Sequence, residues 1–301
     1  MKYLFERKEV EPLPYSVTKS QMNMKQSEIK ALISLLDDED HEVLNHVESK
    51  IRSMGDTVIP FLEDRWEESS LSPLMQKKLE DLIHDLQYHA FFDRLTDWRN
   101  NRSEDLLEGM WAIATYQYPE LSLEKLRQDM EQIYYEIWLE IRDNMHPMDQ
   151  IKTINSVIFG KLKFGANTKH FHSASNSMLN TVMESKKGNP ISLCVIYLLV
   201  CERLNLPIWG VNLPNLFILT YKSGNMQFYI NVFNRGLVFS RTDIDSYIAQ
   251  LNLAQNDIFY QPCQNIDIIR RVLRNLTVAF EKVGDDDKMK EIDRALVEMM
   301  K

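Results

Sequence analysis

The chain has 301 residues, 44% of them hydrophobic and 26% charged, which is the balance of an ordinary folded globular protein and excludes a disordered one. Its longest apolar run, Ile191 to Cys201, is broken by Ser192 and falls far short of the roughly 20 residues a bilayer span needs, so no membrane association is expected. The net charge of −9 is uneven: residues 1–150 carry 17 Lys+Arg against 31 Asp+Glu (−14) and residues 151–301 carry 18 against 13 (+5), and an acidic front half argues against a nucleic-acid partner, which needs clustered positive charge.

The opening segment, Met1 to Tyr15, alternates charge, proline and aromatics and lacks the apolar core of a secretory signal. Only Gly55 and Gly109 fall within the first 150 residues, and repeated i, i+3, i+4 apolar spacing there predicts helices. Ser27 with Glu28 reads as the start of a helix carrying Ile29, Leu32, Ile33, Leu35 and Leu36. The acidic run Asp37-Asp38-Glu39-Asp40 charges the start of the next, which carries Val43, Leu44, Val47 and Ile51 and closes at Gly55. A third begins at Val58 and Ile59, and further helices are predicted at 73–97, 103–117 and 122–143, with Pro119 and Pro147 as punctuation. Helix, acidic turn, helix and glycine together resemble a HEAT-type helical repeat.

Past residue 150 the texture changes. A helix from Ile151 to Gly160 leads into an irregular stretch, 161–177. Asn189 is a predicted cap and Pro190 a predicted first residue for a helix over 190–204, apolar nearly all round and therefore expected at the centre of the fold. Strands are predicted at Trp209 to Leu213, Phe217 to Tyr221, Met226 to Val232 and Leu237 to Ser240, with Lys222-Ser223-Gly224-Asn225 as a hairpin turn. Helices return at 243–251, 264–283 and 286–300, and the last two resemble half of a tetratricopeptide array, packed as an end cap.

Three pieces of this half carry a resemblance: Asn176-Ser177-Met178-Leu179 with Lys187-Gly188-Asn189-Pro190-Ile191-Ser192-Leu193, then Leu206-Pro207-Ile208 through Pro214-Asn215-Leu216-Phe217, then Tyr229-Ile230-Asn231-Val232-Phe233. Their order and spacing, over roughly residues 100–240, resemble bacterial transglutaminase-like proteins of the SirB type. The resemblance implies one buried helix against an antiparallel sheet. In active relatives a cysteine heads that helix, where the dipole and free amides lower its pKa. Histidine on the next strand takes the proton and a carboxylate on the following strand orients the ring. The matching positions here are Pro190, Leu216 and Asn231, so nucleophile, base and orienter are all absent and no catalytic residue is expected.

The expected fold is thus α+β and predominantly helical: a HEAT-like lobe over 1–97, a transglutaminase-like (papain-like) core with a small antiparallel sheet over 98–262, and a C-terminal helical hairpin over 263–301. Cys194, one turn beyond Pro190, is the candidate for a relocated nucleophile, with His170 or His172 as its base; its apolar neighbours favour a buried, inert thiol. His170-Phe171-His172 lacks a third metal ligand of suitable spacing nearby, so no metal and no cofactor are expected. Asn176, Ser177, Asn189 and Cys194 are the candidate cleft-binding residues, with Asn176 and Asn189 also read as helix caps. Arg270, Arg271 and Arg274 read as a solvated helix face or a protein contact. Three cysteines without CxxC spacing suit a reducing cytoplasm. The functional expectation is an inactive transglutaminase-like module that binds a protein or peptide partner; a cysteine hydrolase or transferase using Cys194 and a helical scaffold are the alternatives.

Overall fold

The computed structural model describes residues 19–301 apart from Glu39, Ser69, Ser70 and Asp143; the readings of Met1 to Tyr15 and of Glu39 lie outside the described residues. Helix α1 (Lys19–Ser34) starts eight residues before the predicted Ser27. Asp40 then caps α2 (His41–Ser53): its side chain accepts from the Glu42 amide, so the acidic run does serve a helix start. Gly55, at φ +71, ends that helix and α3 (Ile59–Trp66) follows. Helix α4 (Pro73–Asn101) is longer than predicted at its C-terminal end.

The chain divides into two compact units, Met1–Ala90 and Phe91–Lys301, the boundary falling within α4. The first is a helical unit whose core gathers Ile29, Ile33, Leu36, Val47, Ile51, Val58, Leu62 and Leu79. Its apolar residues recur at helical spacing, and burying that stripe is what stabilises short helices in water. Leu35, predicted on the same stripe, is instead 42% exposed because the helix tightens into a one-turn segment, Leu35–Asp37.

The second unit holds everything else. Helix α5 (Leu106–Ala114) is capped by Asp105, α6 (Leu123–Trp138) by Ser122 and α7 (Pro147–Asn155) by His146, each shorter or shifted relative to its sequence range. The predicted Ile151 helix thus begins at Pro147 and ends in a wider turn, Ser156–Lys161. Strand β1 (Gly165–Ala166) pairs in parallel with β2 (Lys187–Gly188), and a one-turn helix, Ala174–Ser177, and α8 (Leu179–Ser185) lie between them in sequence. Helix α9 (Pro190–Arg203) is the hub. Every residue from Ile191 to Leu198 is buried, as an all-round apolar helix must be.

An antiparallel meander follows: β3 (Ile208–Leu213), β4 (Leu216–Ser223), β5 (Met226–Asn231) and β6 (Leu237–Phe239), in that spatial order. Gly224, at φ +55, makes the predicted hairpin turn between β4 and β5. Helices α10 (Arg241–Gln250), α11 (Asn265–Val283) and α12 (Asp286–Met300) complete the chain, with Gly284 at φ +75 between the last two.

Register decides which side chains reach α9. Leu213 pairs with Leu216 across a two-residue turn, Val211 pairs with Ile218 and Thr220 with Tyr229. Successive strand residues alternate faces, so Val211, Leu213, Leu216, Ile218 and Tyr229 share one face. That face is covered by Ile244 and Ile248 of α10 together with Tyr260. The opposite face carries Gly210, Phe217 and Leu219 and receives α9 and α11.

Candidate functional site

Where α9 begins, the chain has to satisfy amides that no preceding turn can reach. Asn189 does this in a reciprocal capping box: its side chain accepts from the Ser192 amide at 2.9 Å, and its own amide donates to Ser192 Oγ at 3.1 Å. Pro190 at the first helical position needs no amide partner. The Asn189 Nδ2 donates in turn to Ser177 Oγ at 3.3 Å, tying the one-turn helix to the start of α9.

Against this end of α9 lies a cavity of about 250 Å³. Asn189, Pro190, Ile191 and Ser177 line it on one side and Phe217 of β4 on another. The loop Phe171–Ser173 and Arg271, Asn275 and Val278 of α11 close the rest. No acidic residue is among its lining.

Asn176 is not a helix cap. It lies inside the one-turn helix, 1% exposed, and its Nδ2 donates to the carbonyls of His170 (2.6 Å) and Phe171 (3.0 Å) while its Oδ1 accepts from Asn167 Nδ2 at 2.8 Å. Those bonds hold the 167–173 loop, whose Phe171, His172 and Ser173 line the cavity. An Asn176→Ala variant removes all three and leaves two carbonyls to find water, a loss of about 2 kcal/mol. We expect a lower urea midpoint and faster hydrogen exchange at the His170 and Ser173 amides; an unchanged midpoint would show that the loop is held some other way.

The other sequence candidates separate. Ser177 and Asn189 line the cavity; Cys194 does not. Its thiol is 0% exposed and donates to the Phe217 carbonyl at 3.6 Å. Burial, with Cys263 nearby, pushes it well above the ordinary thiol range. Burial also raises Cys201, and pushes Cys263 up to about 12. His170 and His172 are exposed. His172 does reach the cavity rim, where its ring meets Phe171 edge-on at 5.0 Å.

Of the three motif positions, Pro190 lines the cavity and Leu216 and Asn231 do not. Pro190 opens α9, whereas Leu216 packs into the core under α10, on the other face of the sheet. By strand alternation Asn231 shares that face with Tyr229, and its Oδ1 accepts from the Asn234 amide at 3.1 Å, a local turn bond. The β4 side chain that lines the cavity along with Pro190 is Phe217, the residue after the matched position Leu216.

Phe217, hidden by the parity set at the Pro214-Asn215 turn, and Arg271, Asn275 and Val278 of α11 are among the cavity residues that the sequence motifs do not single out. In the sequence the three arginines read as a solvated helix face or a protein contact. Arg270 does pair with Asp267 at 3.3 Å, but Arg271 is half-buried in the cavity wall and donates to Asn212 Oδ1 at 3.2 Å. Its burial, and then the nearby Arg274, hold the guanidinium below its ordinary pKa. The spacing Arg271, Asn275, Val278 (i, i+4, i+7) was the available signal, since it puts all three on one helix face.

Among the described residues no group of three His, Cys, Asp or Glu could hold a metal ion, and no helix is long and apolar enough to cross a membrane.

With that geometry in place, comparison with known proteins adds the following. The profile of the transglutaminase-like superfamily matches residues 124–274. A UPF0162 protein of Xylella fastidiosa (strain Temecula1) is 28% identical over 200 residues, covering 60% of this chain and 68% of its own. The UPF0162 protein YchA of Escherichia coli is 24% identical over 186 residues, again 60% and 68%. Mouse F-box only protein 21 is 26% identical over 144 residues, 45% of this chain and 22% of its own. No solved structure matches the chain.

Proposed function

Because this chain belongs to the transglutaminase-like superfamily, we propose that it uses the fold to bind and not to catalyse. It is, in this reading, an inactive protein of the SirB type from a bacterial cytoplasm, and its cavity at the start of α9 holds a segment of a protein or peptide partner. The observation that carries the reading is the residue at the head of the central helix. By the motif resemblance Pro190 stands where active relatives place the thiol; it opens α9 and borders a cavity whose polar side chains are amides, hydroxyls, one imidazole and one guanidinium.

A cysteine enzyme built on Cys194 with His170 or His172 is disfavoured on the same grounds. The nucleophile must be a thiolate within reach of substrate. Cys194 is a fully buried thiol and is not part of the cavity. The division into 1–97, 98–262 and 263–301 is kept as a proposal, with a HEAT-like first part and a C-terminal hairpin whose α11 contributes a cavity wall.

The test is an amine-incorporation and amide-hydrolysis assay on the full chain with glutamine-containing peptides. Turnover is expected at the buffer background, unchanged by Cys194→Ala. Turnover above background that Cys194→Ala abolishes would replace the binding reading with the enzyme one.

A further inference from the structure

The cavity wall carries one full charge that no carboxylate neutralises among the described residues. Arg271 is half-buried, lines the cavity and bonds only to the neutral Oδ1 of Asn212 at 3.2 Å among the described hydrogen bonds. Among the described residues no carboxylate pairs with it, although Arg270 on the same helix has Asp267 and the chain as a whole carries a net −9. Arg274 sits close enough to add repulsion. Taking a guanidinium out of bulk water is unfavourable unless it meets an anion or a full set of acceptors, and one amide oxygen leaves most of its five donors unused. Across the same small space stands the N-terminal end of α9, whose field has the same sign.

We infer that this cavity receives a carboxylate borne on a small peptidic or aliphatic group, with Arg271 as its counter-ion. The planar fork of arginine matches the two oxygens of a carboxylate, and such charge-assisted pairs are the strong ones. The remaining walls suit what would be attached: Phe217, Ile191 and Val278 offer apolar surface, while Asn275 and Ser177 offer hydrogen bonds. Size limits the guest. At about 250 Å³ the cavity is below the roughly 300–1,000 Å³ of sites that hold drug-sized ligands, so it takes the end of a chain or one side chain, not a folded surface. A free C-terminal carboxylate and the side chain of Asp or Glu both present this chemistry. The inference rests on the reading of the cavity as a binding site and adds what the site reads.

The experiment titrates the full chain, with ¹⁵N-labelled arginine and isoleucine, against four probes followed by NMR. N-acetylleucine carries only a terminal carboxylate, N-acetylglutamic acid α-amide only a side-chain carboxylate, and N-acetylleucinamide neither; inorganic phosphate serves as a plain anion. Saturable shifts of the Arg271 Nε–H and the Ile191 amide are expected with at least one carboxylate probe, and the responding probe identifies the source. N-acetylleucinamide should give none, and Arg271→Gln should weaken the carboxylate probe about tenfold or more. If that variant fails to fold, Arg271→Lys, which keeps the charge and loses the fork, should weaken it measurably. Equal shifts from N-acetylleucinamide would sink the carboxylate inference while leaving a binding cavity. Phosphate acting as strongly as the carboxylates would overturn the assignment too. Silence of Arg271 and Ile191 towards every probe would remove both readings.

Discussion

Replacing Pro190 by cysteine should give a thiol that iodoacetamide alkylates at pH 7 about a hundred times faster than any thiol already in the chain. The position supplies the reason. Thiols in the first turn of a helix have pKa values depressed to roughly 3.5–7.5, so about a quarter or more of the introduced thiol is thiolate at neutral pH. Cys263 stands at about 12, which leaves roughly one part in 10⁵ as thiolate. Intrinsic nucleophilicity falls with pKa and returns about two to three of those decades, so a net advantage of about two orders of magnitude remains. Cys194 and Cys201, both 0% exposed, should be slower still. Site-resolved mass spectrometry of the alkylation time course measures this. An introduced thiol no faster than Cys263 would mean that the head of α9 is neither open nor polarising.

The second large effect concerns the frame that holds α9. Gly236, at φ +74, lies in the turn between β5 and β6, and its carbonyl accepts from Asn155 Nδ2 at 3.0 Å. Asn155 ends α7, and its Oδ1 accepts from Tyr197 Oη at 3.2 Å, a phenol on a fully buried side chain of α9. A Cβ on Gly236 would overlap the Asn155 amide group itself. Gly236→Ala therefore combines a left-handed backbone that alanine resists, about 1–2 kcal/mol, with loss of two hydrogen bonds and an unpaired buried phenol, about 1–3 kcal/mol. The sum, about 2–5 kcal/mol, is a large share of the roughly 5–15 kcal/mol that holds a typical domain. Asn155→Ala removes the overlap along with the bonds, so the two changes must be non-additive. The double variant should be only about 1–2 kcal/mol worse than Asn155→Ala alone, the residual backbone strain. Full additivity in urea unfolding would show that the two residues do not meet.

The helical positions were legible because they rest on local rules. Asn189, Pro190 and the apolar run behind them specify a capped, central helix from sequence alone, and Gly224 marks its hairpin. Asp40 at the start of α2 is equally local. The site was less legible because it depends on parity and packing. The motif match runs through Leu216, yet the two-residue turn at Pro214-Asn215 pairs Leu213 with Leu216 and so turns Leu216 under α10 and Phe217 towards α9. Sequence spacing gives the order of positions; only register gives their face. Arg271 is hidden for a related reason: its neighbours Arg270 and Arg274 suggest a solvated face, while helix rotation carries it into the cavity wall. Asn176 was read as a cap because asparagine favours caps, and its three bonds to a loop up to nine residues away are tertiary.

A fold that binds and does not catalyse has no usable thiol in the native chain. Alkylation of the unmodified protein by iodoacetamide at pH 7.0, followed separately for Cys194, Cys201 and Cys263, addresses that directly. We predict that all three stay orders of magnitude slower than free cysteine until urea unfolds the chain, with Cys263 the first to react. Rapid alkylation of Cys194 in the folded protein, at a rate near that of free cysteine, would contradict it.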